Sequence, residues 1–310
     1  MELDPKAKAL LTAIAAAGDP PINEMPLEKA RQVIESGYAR MNMPVTPVNS
    51  ITNLVIPGPG GELNIRVYIP DGDGTFPLML FFHGGGWVLF TLDAYDSMCT
   101  HLCSMAPCVV VSVDYRRSPE FRFPAATDDC MAATLWAVSN AMKFRGDPGK
   151  LFLAGDSAGG NLAAVTALRL RDEGGPAVKG QILIYPVTDY LEPEKQSYVT
   201  FAEGYSLTRE AMKWFWAQYL ENPGDAVNPY VAPLQATNLF LLPDALVMVS
   251  GYDPLRDEGI AYAKRLSESG VSVKLTVYEE MIHGFISYLG ILPQALKAIH
   301  EIAGWMRSFS

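Results

Sequence analysis

The sequence predicts an α/β fold in which a mostly parallel central sheet of about eight strands is flanked by helices, with a helical cap over one end. Three observations carry that expectation. Short apolar runs such as Val109 to Val113 and Leu151 to Ala154 have the continuous hydrophobicity of strands buried on both faces. Helical patterns separate most of these runs, as βαβ units require. One interval, from Tyr185 to Ala245, is longer than a single crossover needs.

From Asp4 to about Met43 the pattern is helical, with an Ala-rich segment, a break at Asp19, Pro20 and Pro21, and a second helix over Leu27 to Met41. Ile51 to Ile56 and Leu63 to Ile69, separated by a Pro/Gly run, read as an antiparallel hairpin at one edge of the sheet. Buried strands follow at Leu78 to Phe82, Val109 to Val113, Leu151 to Ala154, Gln181 to Tyr185, Ala245 to Ser250 and Val273 to Tyr278. Helices are expected at Ala125 to Met142, Ala158 to Arg171, Gly259 to Ser269 and Pro293 to about Met306. Within the long interval, Thr208 is placed to N-cap an aromatic helix containing Met212, Trp214, Phe215, Trp216 and Tyr219. The expected division is residues 1–45 as an N-terminal helical arm of the cap, 46–187 and 229–310 as the main α/β domain, and 188–228 as a cap insertion. Such a cap covers the carboxyl ends of the strands, where parallel sheets bind ligands.

The 310 residues, 49% hydrophobic, suffice for one large core with a small accessory lobe. A net charge of -10 opposes binding to nucleic-acid phosphates or anionic lipid, both of which reward clustered Lys and Arg. Cys99, Cys103, Cys108 and Cys130 show no Cys-x-x-Cys pair and no spacing suited to zinc, so no metal is expected. Cys99 and Cys103, one helical turn apart, suit a disulfide poorly, which favours a reducing cytoplasm. Lys6, Lys8 and the run Ala9 to Ala17 superficially resemble a signal peptide. Glu2, Asp4 and the helical spacing of Leu10, Leu11 and Ile14 favour an ordinary amphipathic helix instead. No apolar stretch is long enough to span a bilayer, so stable membrane insertion is not expected.

The sharpest chemical signal is Gly155-Asp156-Ser157-Ala158-Gly159, a Gly-x-Ser-x-Gly turn between an expected strand and an expected helix. So tight a turn strains the serine backbone and needs small neighbours, which Gly155, Ala158, Gly159 and Gly160 supply. No lysine follows these glycines, which opposes a phosphate-binding loop. A serine hydroxyl needs a general base, and the base needs an orienting carboxylate. Of four histidines, only His283 lies in a loop after the final strand, level with the serine turn. His83, His101 and His300 are assigned structural roles. Asp253 follows the strand Ala245 to Ser250 and fits the chain order of serine, acid, base, whereas its rival Asp257 stands one turn further on. Acyl transfer also requires donors aimed at a developing oxyanion, and the loop His83-Gly84-Gly85-Gly86-Trp87 after the strand Leu78 to Phe82 can present backbone amides, joined by that of Ala158.

These motifs, together with Asp114-Tyr115-Arg116, Pro119-Glu120, Phe123-Pro124-Ala125-Ala126, Asp253-Pro254-Leu255-Arg256-Asp257 and His283-Gly284-Phe285, resemble the hormone-sensitive-lipase-like family, the bacterial family IV esterases of the α/β-hydrolase fold. The resemblance covers nearly the whole chain. It implies a serine carboxylesterase acting on small-molecule esters of short to medium acyl chains, with no metal or diffusible cofactor. Carried over residue by residue, it makes the amides of Gly85, Gly86 and Ala158 the oxyanion donors, with Gly84 shaping the loop. Trp87, Phe90, Asp156, Tyr185, Trp214, Phe215 and Phe285 are expected to line the substrate site. A homodimer through Val273 to Tyr278 and the last helix is an expectation from resemblance alone.

Two departures stand out. Leu89-Phe90-Thr91 replaces the family's glycine with an aromatic ring, expected near the mouth of the site. Arg117-Ser118 replaces the Leu-Ala of the usual Tyr-Arg-Leu-Ala-Pro-Glu, a change expected to stay within a supporting loop. The same trio would also serve an amidase, lactonase or peptidase, since a fold does not fix the leaving group. The aromatic helix would suit a lipase docking on aggregated substrate, although it lacks a basic face. A catalytically silent ligand-binding relative would be expected to lack the base that His283 supplies.

Overall fold

In the computed structural model, which describes residues 2–41 and 43–309, eight strands form one sheet. Met1, Asn42 and Ser310 belong to the expected ranges 1–45 and 229–310 but lie outside the described residues. The strands are β1 (Ser50–Gly58), β2 (Gly61–Ile69), β3 (Phe76–Phe82), β4 (Val109–Val113), β5 (Gly146–Asp156), β6 (Val178–Ile184), β7 (Asp244–Tyr252) and β8 (Val273–Ile282). Their spatial order is β1-β2-β4-β3-β5-β6-β7-β8. β1 pairs antiparallel with β2, from Ser50 opposite Ile69 to Gly58 opposite Gly61, and β2 lies antiparallel to β4. All later pairings are parallel.

The exchange of β3 and β4 in this order matters for the site. It seats β3 beside β5, with Phe82 opposite Gly155, so the loops leaving both strands emerge together at the carboxyl end of the sheet. Every residue of β4 is buried, as is the second half of β5, which explains why their sequences carry no polar alternation.

The helices are α1 (Pro5–Ala17), α2 (Leu27–Met41), α3 (Asp96–Met105), α4 (Ala125–Asn140), α5 (Ala158–Asp172), α6 (Gln196–Thr200), α7 (Arg209–Tyr219), α8 (Arg256–Glu268) and α9 (Pro293–Arg307). Asp4 caps α1 by accepting from the amides of Lys6 and Ala7, and Thr208 caps α7 through the Ala211 amide at 3.0 Å. Among the described residues no helix is long and apolar enough to cross a membrane. The cysteines Cys99, Cys103, Cys108 and Cys130 are free and buried.

Several element bounds differ from expectation, and for β5, β8 and α6 the reason is physical. β5 starts at Gly146 rather than Leu151, because a register shift beside Pro77 and Leu78 accommodates polar residues that break the apolar run. β8 continues past Tyr278 to Ile282 despite Glu279 and Glu280. It can do so because Gly251 lacks a Cβ, which would stand 2.0 Å from the Glu279 carbonyl oxygen. The short α6 has too few residues to show a helical period.

Packing at the centre leaves no slack. A Cβ on Gly159 would lie 1.9 Å from the carbonyl oxygen of Phe82, which binds α5 to β3 without room for a methyl group. Gly159→Ala is therefore expected to cost about 4 kcal/mol or more, roughly 10 °C in Tm, or to prevent folding. Calorimetry of the purified variant checks this, and an unchanged Tm would mean that β3 and α5 separate freely.

Candidate active site

β5 ends at Asp156 and α5 begins at Ala158, so Ser157 alone makes the turn between them. Its backbone sits at φ 56° and ψ -120°, a conformation that costs an ordinary residue about 1–3 kcal/mol. The surroundings enforce it. The Ser157 amide donates to the Ile184 carbonyl at 2.8 Å, and a Cβ on Gly155 would stand 2.3 Å from the Gly159 carbonyl oxygen. The hydroxyl is thereby presented at the top of the sheet.

His283 follows β8 directly, and its Nε2 lies 3.0 Å from Ser157 Oγ. Its Nδ1 lies 2.7 Å from Oδ2 of Asp253, which follows β7 and is fully buried. The second carboxylate oxygen of Asp253 accepts the Leu255 amide at 2.8 Å, so both oxygens are held. Asp257 is occupied elsewhere, accepting from the Ser197 amide at 2.8 Å and pairing with Arg256. Of the remaining histidines, His83 stacks on Tyr115, and burial lowers its pKa to about 4, leaving it neutral. His101 is buried between Ser97 and Thr46, and His300 is exposed on α9.

The glycine loop after β3 reaches the same place. The Gly84 amide is consumed, donating to Asp156 Oδ1 at 2.9 Å and to Tyr95 at 3.0 Å, which leaves Gly84 a shaping role. Among the described residues the amides of Gly85, Gly86 and Ala158 donate to no protein acceptor. Gly85 and Gly86 have φ of 96° and 59°, and a Cβ on Gly86 would stand 2.1 Å from the Phe215 ring of α7. Glycine is thus required there both by backbone angle and by the helix that lies over it.

Above Ser157 opens a cavity of about 270 Å³. Ile34 and Tyr38 of α2, Met212 and Phe215 of α7, and Phe90 and Leu89 of the glycine loop form much of its apolar wall, with Asp156 beside the serine. Four residues expected in that wall stand behind it instead. Trp87 is fully buried and stacks on Tyr219 with rings 4.1 Å apart. Tyr185 backs the His283 imidazole at 4.6 Å, Phe285 packs on Tyr278, and Trp214 lies beside Phe215, outside the cavity. Each belongs to a motif that borders the site, but its side chain faces the core or a neighbouring ring. Phe90, expected near the mouth, lines the cavity with its ring 4.5 Å from that of Tyr38. The change at Arg117 also reaches further than a supporting loop, since its guanidinium donates to the Phe90 carbonyl at 2.8 Å.

Tyr38, Tyr95 and Tyr288 were not singled out by sequence reasoning. Ile34 and Tyr38, four apart on one helical face, were the available signal in α2. Among the described residues no group of three or more His, Cys, Asp or Glu side chains is arranged to hold a metal ion.

An elbow serine, a histidine after the last strand and a buried aspartate, on a sheet of this order, define the class of α/β-hydrolases. Comparison with known proteins agrees: residues 79–287 match the family described by the alpha/beta hydrolase fold. The carboxylic ester hydrolase LipN of Mycobacterium tuberculosis is 41% identical over 83% of this chain and 70% of its own length. An ethyl acetate hydrolase of Pseudomonas putida is 32% identical over 95% of both chains. The solved hyperthermophilic esterase of the archaeon Pyrobaculum calidifontis superposes with a TM-score of 0.95 at 39% identity, covering 100% of this chain and 99% of that one. The chain belongs to the α/β-hydrolase family, in its hormone-sensitive-lipase-like branch of carboxylesterases.

Asp156 is the second carboxylate near the histidine. Burial raises its pKa to about 6, against the opposing hydrogen bonds from Tyr95 and Gly84. A carboxyl whose folded pKa exceeds its unfolded value stabilises the fold fully below the unfolded pKa, and loses that contribution as pH rises through the folded one. The charged form therefore costs about 3 kcal/mol near neutrality. Asp156→Asn, which keeps an acceptor for Gly84, is expected to raise Tm at pH 8 and to gain little at pH 4.5. Thermal denaturation at the two values checks the sign, and a gain confined to pH 4.5 would contradict it.

Proposed function

We propose that this protein hydrolyses carboxylic esters of short to medium acyl chain through an acyl-enzyme on Ser157. The observation that carries the proposal is the continuous relay from Ser157 Oγ through His283 to Asp253, at 3.0 and 2.7 Å, below a cavity edged by unpaired backbone amides. His283 Nε2 takes the serine proton as Oγ attacks the ester carbonyl, and Asp253 stabilises the imidazolium. The developing oxyanion is received by the amides of Gly85, Gly86 and Ala158. The imidazolium then protonates the departing alkoxide. Water, deprotonated by the same imidazole, attacks the acyl-enzyme and releases the acid.

The chain-length part of the proposal rests on the cavity. At about 270 Å³ it lies just below the range of roughly 300–1,000 Å³ usual for drug-sized ligands. A relative whose name specifies ethyl acetate points the same way. In this reading residues 1–45 and 188–228 together form the cap, supported by the contributions of α2 and α7 to one cavity wall. α7 buries Met212, Phe215, Trp216 and Tyr219, which favours a cap-packing helix over a lipid-docking one. A cytoplasmic setting, supported by four buried free thiols, and a homodimer through the open edge strand β8, where Lys274 and Leu275 are exposed, belong to the same proposal.

Hydrolysis of p-nitrophenyl esters from acetate to palmitate tests it. Wild type is expected to peak at short or medium chains, and Ser157→Ala and His283→Ala to lose about 10⁴-fold or more in kcat. Full activity in folded Ser157→Ala would overturn the assignment. Phe90, at φ 71°, takes a left-handed conformation natural to glycine, and its ring closes part of the wall. Phe90→Gly is accordingly expected to raise long-chain relative to short-chain kcat/KM by roughly ten-fold. An unchanged profile would show that the ring does not limit the acyl chain.

A further inference from the structure

The glycine loop carries two bulky residues, Trp87 and Phe90, in the left-handed region. Gly85, Gly86, Trp87 and Phe90 all have φ between 59° and 96°, although two of them carry large side chains. Glycine takes such angles freely, but Trp87 and Phe90 persist there only where their surroundings over-determine them. Within the loop, Val88 and Leu89 donate back to the Gly85 carbonyl at 3.0 and 2.9 Å, a single tight turn. The outer half of that turn is held by side chains, and two of them come from α2.

Arg31 Nε donates to the Val88 carbonyl at 3.0 Å. The same guanidinium forks onto Glu120 at 2.7 and 2.8 Å and reaches the Ser118 carbonyl at 3.1 Å. One turn further along α2, Glu35 accepts the Phe90 amide at 3.1 Å and lies 3.6 Å from Arg117, which in turn donates to the Phe90 carbonyl. Arg31 and Glu35 are four residues apart, on one helical face. Between them they hold Val88 and Phe90, two and four residues beyond Gly86.

We infer that Arg31 and Glu35 are positioning residues for the oxyanion donors, so that α2 completes the oxyanion site as well as roofing the cavity. The inference rests on the proposed role of the Gly85 and Gly86 amides. Oxyanion stabilisation depends on donors fixed before charge develops, and a loop strained at Trp87 and Phe90 relaxes when its outer anchors are removed. The substrate's ground state gains little from that precision, so the loss falls on kcat rather than KM.

The test uses p-nitrophenyl acetate, whose acyl group is too short to need the distal cavity wall. Active sites are counted by phosphonate titration in the full-length wild type, Arg31→Ala, Glu35→Ala, Glu35→Gln and Ser157→Ala. Per titrated site, Arg31→Ala and Glu35→Ala are each expected to lose about ten-fold or more in kcat, with KM within about two-fold. Glu35→Gln, which restores an acceptor for Phe90, should recover most of the loss. A trifluoromethyl ketone, which adds to the serine as an oxyanion, should lose affinity in parallel with kcat/KM. If the alanine variants merely contain fewer active sites, each with wild-type kcat, or if only KM rises, the inference fails. Should Arg31→Ala not fold, the Glu35 pair decides. Activity retained in Ser157→Ala would instead remove the underlying reading of the site.

Discussion

The close approach of Phe82 to Gly159 is the constraint on which the site depends. It presses β3 against the start of α5, and Ser157 is left one conformation, φ 56° and ψ -120°, in which its hydroxyl stands clear of the sheet. The same contact sets Phe82 opposite Gly155, so the glycine loop departs beside the serine. Ser157 and the start of the glycine loop are thereby placed by strand pairing, which is stiff, and only the loop's outer part needs further anchors.

Two buried carboxylates flank this centre and their surroundings divide their work. Asp253 faces the imidazole with one oxygen and the Leu255 amide with the other, so its carboxylate is held at both ends. Asp156 faces the Gly84 amide and the Tyr95 hydroxyl, and burial raises its pKa. In the proposed mechanism the first orients the base. The second ties the glycine loop to the elbow through the Gly84 amide.

Much of this was legible in the sequence because its signals are local. The strand, elbow and helix around Ser157 are contiguous, and the buried strands announce themselves by continuous apolar runs. His283 and Asp253 were found by position after a strand, a rule that tolerated the extension of β8 by four residues to Ile282. The cavity wall was less legible, since a motif's neighbours alternate between facing the site and facing the core. Phe90 and Phe215 face the site, whereas Trp87 and Phe285 face inward. The anchors in α2 were invisible, because Arg31 meets Val88 and Glu120 only after chain separations of 57 and 89 residues have been folded away. The two departures at Phe90 and Arg117 looked independent in sequence, yet the Arg117 guanidinium donates to the Phe90 carbonyl.

The central claim is that Ser157, activated by His283, is the nucleophile. Reaction with a fluorophosphonate, followed by intact mass and peptide mapping, tests it most directly. The account predicts one phosphonyl group per chain, on Ser157, with esterase activity lost in proportion to labelling. A label on another residue, or none on a folded and active enzyme, would contradict it.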